Sequence, residues 1–189
     1  ITPKGYDFSK NNKLPFKINS SENITIFFPG STIGNFEKKD AVKFLKMLKS
    51  KFKAKKIIIG ADLVKDIPTL ITAYNDKKGV TAKFNKNILQ RINTELGGYV
   101  NLNCYKHLAI YNKSKKRVEM RLRSKRNNNI KINGSKYLIK KNEEIHTENS
   151  HKYTIKSFKK LANEAGWNIE KTWVDDKKLF SVHCLNLAL

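Results

Sequence analysis

Residues Ile24 to Phe36 read ITIFFPGSTIGNF, and the fold follows from how that run is divided. Ile24 to Phe28 is apolar or β-branched without polar alternation, the pattern of a parallel strand buried on both faces and covered by helices. Pro29 to Asn35 are small or conformationally permissive, which lets the backbone approach a ligand where open α/β sheets bind one, at the carboxyl end of a strand.

Working outward, Ala41, Phe44, Leu45, Leu48 and Phe52 recur at helical spacing, and Lys56 to Gly60, KIIIG, is a second buried strand. Strand, helix, strand in that order is a right-handed parallel crossover. Asp62, just beyond the second strand, is either a ligand-facing acid or a helix cap. Pro68 opens a helix running towards Tyr74. The next helix has Phe84, Ile88, Ile92 and Leu96 as its expected apolar face and is stopped by Gly97 and Gly98.

From about His107 the period changes to that of strands. His107 to Tyr111, Arg117 to Ser124, Asn129 to Ile132 and Ser135 to Lys140 read as antiparallel strands, the last two joined by Asn133 and Gly134. Thr154 caps a helix with Ile155, Phe158, Leu161, Ala162 and Ala165 on its inner face and Gly166 at its end. Trp167 to Val174 and Leu179 to Leu187 then pair as a hairpin across Asp175 to Lys178, so the last strand runs antiparallel. The expected fold class is α/β, a partial class I (Rossmann-like) sheet with an inserted α+β lobe. Residues 1–65 and 152–189 form the Rossmann-like part and 66–151 the inserted substrate-binding lobe.

The 189 residues suffice for one core and a small second lobe, and the formal charge is +23. That charge suggests nucleic acid, but it is nearly all lysine, whereas arginine is the usual reader of phosphates and bases. A nucleic-acid role is therefore not expected, although a non-catalytic basic binding protein stays as an alternative. Cys104 and Cys184 lack the spacing of a zinc site or disulfide framework. His146 and His151 flank Glu148 without helical spacing or a third ligand, and no metal is expected. No Gly-x-Ser-x-Gly elbow or Walker loop occurs. No stretch reaches the length of a membrane span and the start carries no signal peptide, so a soluble cytoplasmic protein, favoured as a monomer, is expected.

Glu148 and Ser150 are two apart, so on an extended strand both point to one side and together could hold the two nitrogens of an imidazole. A solvated strand face accounts for the same spacing.

FFPGSTIGNF, GADLVKD (60–66), AYND (73–76), GVTAKFNKNIL (79–89), RINTELGG (91–98), VEMRLRS (118–124) and IHTENSHKY (145–153), in this order, resemble the S-adenosylmethionine-dependent histidine Nα-methyltransferase family of ergothioneine biosynthesis. The resemblance implies an enzyme that trimethylates the α-amino group of L-histidine, with S-adenosylmethionine as cosubstrate. It implies that Glu148 and Ser150 select the imidazole, Asn35 grips the amino-acid backbone, and Gly30 lies beside the substrate amine. It further implies that Tyr74 binds the substrate carboxylate, Met120 walls the side-chain pocket, and Asp7 and Phe8 contact the cofactor adenine. No catalytic nucleophile is needed, since methyl transfer asks the protein to align an amine and exclude water. A family member acting on another amino acid, such as an indole derivative, is the alternative, although an indole would leave the Glu148 carboxylate underused. The glycine-rich loop, the ribose-binding acid and part of the substrate lobe would lie upstream of Ile1. The expectation is a C-terminal fragment, weakly active or inactive alone.

Overall fold

The structure, a computed structural model, describes residues 2–8, 14, 16–18 and 23–188. Its strands and helices, in chain order, are β1 (Ile24–Phe28), α1 (Lys38–Ser50), β2 (Ala54–Asp62), α2 (Ile67–Tyr74), α3 (Val80–Glu95), β3 (Tyr105–Asn112), β4 (Arg117–Ser124), β5 (Asn128–Ile132), β6 (Ser135–Ile139), β7 (Glu144–His151), α4 (Ile155–Glu164), β8 (Trp167–Val174) and β9 (Phe180–Leu187). A short 3-10 turn, Thr32–Asn35, follows β1.

The principal sheet has the order β1-β2-β9-β8. β1 and β2 are parallel, joined through α1, and β9 runs antiparallel to both β2 and β8. One face is sealed by α1 and α4, whose Leu45, Leu48, Phe158, Leu161 and Ala162 pack on Ile57, Ile59, Ala61 and Leu185. Trp167 is fully buried there, its indole N–H donating to the Leu45 carbonyl at 3.0 Å. α4 starts as its sequence dictates: Thr154 accepts from the Ser157 amide at 3.0 Å, and the Ser157 hydroxyl accepts from the Thr154 amide at 2.9 Å. Asp66 caps α2 by accepting from Thr69 N at 2.8 Å.

β1 departs from expectation. It is an edge strand covered on one face only, so its residues alternate between half-buried and exposed, and Phe27 is 70% exposed. An unbroken apolar run therefore does not mean here, among the described residues, a strand covered twice.

A second sheet, β3-β4-β7, is antiparallel throughout, and β5-β6 is a separate hairpin turning at Asn133 and Gly134, both with positive φ. β7, the strand carrying Glu148 and Ser150, pairs with β4 through a bulge between Met120 and Arg121. On one face of β4–β7 lies a ladder of ions: Arg117 bonds Glu37 and Glu119, Arg121 bonds Glu119 and Glu144, and Arg123 bonds Glu144.

α3 is the second departure. Its expected inner residues Phe84, Ile88 and Leu96 are exposed, while Asn85 and Leu89 are buried. The helix is rotated because Asn85 is drawn inward by partners on three other strands. Its amide donates to His107 Nδ1 at 2.9 Å and to the Arg121 carbonyl at 3.2 Å, and its oxygen accepts from Thr147 at 2.6 Å.

Candidate active site

Two sheets meet at the carboxyl ends of β1 and β2. The loop after β1 folds back over β2, with Ser31 in the left-handed region (φ 56°) and its hydroxyl accepting from the Asp62 amide at 2.9 Å. The 3-10 turn that follows packs on β7, where Gly34 is obligatory because a Cβ would lie 2.8 Å from the His151 carbonyl. Gly30 differs. A Cβ there would meet nothing nearer than Thr32 Oγ1 at 3.8 Å, so packing within the chain does not demand glycine, and room for a ligand against the backbone remains.

Asn35 is delivered by this turn to Glu148, whose carboxylate its side chain hydrogen-bonds. The two residues, with His146, Thr147 and Asn149, line an open cleft of about 380 Å³. Burial pushes the Glu148 carboxyl up, against the opposing Asn35 amide and the charge of Lys152. Met120 is the cross-strand partner of Glu148 on β4 and is 3% exposed, so it forms an apolar floor under that side of β7.

Ser150, next on the same face, bonds the Tyr74 hydroxyl at 2.7 Å. Tyr74 is held at the end of α2 by its backbone. His107 accepts from Asn85 at Nδ1, so its Nε2 carries the proton donated to the Tyr74 carbonyl at 2.8 Å. Asn35, Glu148, Ser150, Tyr74 and Met120 are thus assembled from four separate elements around one face of β7. Phe8 reaches the carboxyl end of β1, packing edge-on against Phe28 at 5.8 Å and tilted on Phe44 at 5.7 Å, while remaining 39% exposed. Asp7 lies beside it and is exposed.

Sequence reasoning missed Lys152, whose side chain is wholly buried. It donates to Ser150 Oγ at 2.7 Å, to the Tyr74 hydroxyl at 2.8 Å and to Asp62 Oδ2 at 2.7 Å. Asp62 is therefore no helix cap; its other oxygen takes Lys65 at 2.5 Å. The signal was present as Glu148-x-Ser150-x-Lys152, three residues of one strand face. Asn85 and His107 had none, because their partners are remote in sequence.

A parallel β1–β2 pair extended by an antiparallel β9–β8 hairpin, with a polar cleft at the strand ends, is a partial Rossmann-like α/β sheet. The family described as histidine-specific methyltransferase, SAM-dependent, matches residues 1–187, and the chain belongs to it. It is 33% identical over 153 residues to the histidine N-alpha-methyltransferase of Mycolicibacterium smegmatis, covering 79% of this chain and 48% of that protein. The protein of the same name from Mycobacterium tuberculosis is 33% identical over 152 residues, covering 79% and 47%. The chain thus spans about half the length of the curated relatives it matches. An S-adenosylmethionine-dependent methyltransferase from Clostridium acetobutylicum superposes with a TM-score of 0.45 at 11% identity, covering 97% of this chain and 63% of that one. No helix among the described residues is long and apolar enough to cross a membrane.

Proposed function

We propose that the complete protein trimethylates the α-amino group of L-histidine. The observation that carries this reading is the grouping of Glu148, Asn35, Ser150 and Tyr74 about one strand face. The relatives named histidine N-alpha-methyltransferase support the choice of amino acid. Glu148 accepts an imidazole N–H and Ser150 meets the other ring nitrogen, while Met120 supplies the apolar side of the pocket. The Tyr74 hydroxyl lies 2.7 Å from Ser150, so the carboxylate of a bound amino acid has a donor beside the ring site. Asn35 has two N–H groups; one serves Glu148 and the second is available to the backbone of the substrate.

S-adenosylmethionine supplies an electrophilic methyl group, and the open approach at Gly30 fits a cosubstrate lying against the loop after β1. Asp7 and Phe8 would hold its adenine, the carboxylate accepting from the amino group and the ring packing on the base. The chain's contribution to transfer is alignment of a neutral amine at Gly30 and Asn35 and exclusion of water. We read residues 66–151 as the lobe that selects the substrate.

The test supplies the complete protein with S-adenosylmethionine and all twenty amino acids and reads products by mass. Histidine carrying one, two and three added methyl groups is expected; methylation of another amino acid, or of none, overturns the assignment. Glu148→Ala should weaken histidine binding by roughly a hundredfold through loss of a charged hydrogen bond while leaving S-adenosylhomocysteine affinity unchanged.

A further inference from the structure

Among the described residues Lys152 is the one buried lysine. All three of its N–H groups are accounted for within the protein: Ser150 Oγ at 2.7 Å, the Tyr74 hydroxyl at 2.8 Å and Asp62 Oδ2 at 2.7 Å. It also sits over the Tyr74 ring, 4.6 Å from its centre. Nothing is left with which it could touch a ligand, so whatever it does to the cleft it does through the two hydroxyls.

Those hydroxyls are themselves bonded at 2.7 Å, which closes a triangle of nitrogen and two oxygens. The ammonium can only donate, so it occupies a lone pair on each oxygen. One hydroxyl must then donate to the other. A single O–H remains for the ligand, and it belongs to Tyr74 or to Ser150, never to both.

We propose that Lys152 is a positioning residue for amino-acid recognition, fixing the Ser150 and Tyr74 hydroxyls as a coupled pair that offers one proton to the substrate. Asp62 anchors the device. Its amide is tied to Ser31 of the loop after β1 at 2.9 Å, and its carboxylate is shared between Lys152 and Lys65. The pair is thereby fixed relative to the loop that carries Gly30 and Asn35. When Tyr74 donates to a carboxylate, Ser150 faces the ring as an acceptor; when Ser150 donates to a ring nitrogen, Tyr74 faces the carboxylate without a proton. The inference rests on the amino-acid methyltransferase reading above.

The experiment is a mutant cycle in the complete protein, with dissociation constants for L-histidine measured by calorimetry in the presence of S-adenosylhomocysteine. Lys152→Met is expected to weaken histidine roughly tenfold in the parent and less than about twofold where Ser150→Ala and Tyr74→Phe are already present. S-adenosylhomocysteine affinity should stay within about twofold throughout. Equal weakening in both backgrounds, as a purely structural lysine would give, overturns the proposal, as does no weakening in the parent. Should Lys152→Met fail to fold, Ser150→Ala and Tyr74→Phe carry the test with Lys152 intact: sharing one proton, their losses must be non-additive, and strict additivity overturns the proposal. If the parent binds a different amino acid, the functional reading fails and the same cycle is read with the amino acid that binds.

Discussion

A Cβ placed on Gly60 would lie 1.9 Å from the Pro29 carbonyl oxygen and 2.7 Å from the Phe180 ring. The end of β2 and the loop after β1 are therefore in backbone contact, and this contact sets where Gly30, Ser31 and Asn35 stand.

Gly60→Ala is expected to destabilise the protein by about 3 kcal/mol, since the clash is with backbone and no side chain can swing away. Denaturant unfolding followed by circular dichroism measures it. Stability unchanged within about 0.5 kcal/mol would show that the loop relaxes freely.

Glu119 is 2% exposed and is bonded by Arg121, Arg117 and Asn112. Burial pushes its carboxyl up, but those three donors together outweigh burial and hold it at about 2. Glu119→Gln should cost about 3 kcal/mol, because Arg117 would lose a buried counter-charge. The paired replacement Arg117→Met with Glu119→Leu should recover most of that loss, and the same unfolding measurement distinguishes the two.

The raised pKa of Glu148 predicts a pH signature for substrate binding. In the proposed site the imidazole N–H of histidine needs the ionised carboxylate, so affinity is expected to be full above the raised value and lost as pH falls through it. The inflection should lie above the ordinary glutamate value of 4.5. Calorimetry across pH on the parent and on Glu148→Gln isolates this limb, since the titration of histidine itself persists in the variant. A superimposable profile would remove Glu148 from the ring site.

His183 predicts acid sensitivity of the fold. It is fully buried against Phe158, ring centres 4.2 Å apart. Ser181 gives its proton to the Ala61 carbonyl at 3.1 Å, so it accepts from His183 Nε2 at 2.9 Å, and Nδ1 accepts from Thr172 at 3.0 Å. Burial holds the imidazole down at about 4, against an ordinary value of 6.5. The unfolded chain therefore binds a proton that the native state refuses, and stability falls as pH drops from about 6.5 towards 4, by on the order of 3 kcal/mol. In His183→Phe that part of the acid slope should vanish.

Apart from β7, whose extended form the sequence leaves conditional, the order of strands and helices was legible because each element carries its own local signature: Thr154 with Ser157 at one helix start, Pro68 behind Asp66 at another, Asn133-Gly134 in a hairpin. That Glu148 and Ser150 would share one face of an extended segment was legible from a spacing of two. What resisted reading depended on distance along the chain. Whether Ile24–Phe28 has one covered face or two is decided by neighbours, as is the side of α3 that turns inward, where Asn85 answers to His107 and Thr147. Lys152 was hidden by composition, one lysine among many in a chain with charge +23.

The bulge opposite Met120 and Arg121 has a consequence for how specificity could change. Ile145 pairs with Leu122 and Glu148 pairs with Met120, so one additional residue, Thr147, separates two stretches of β7 that both look towards the same side. Its hydroxyl pins the insertion to Asn85 and to the Met120 carbonyl at 2.9 Å. Were the strand to run through Thr147 without the bulge, alternation would carry Glu148, Ser150 and Lys152 over to the arginine side, presenting Asn149 and His151 in their place. The identity of the pocket is thus a matter of phase: the bulge, by taking up one residue, decides which face of β7 the cleft reads, with every neighbouring side chain unchanged.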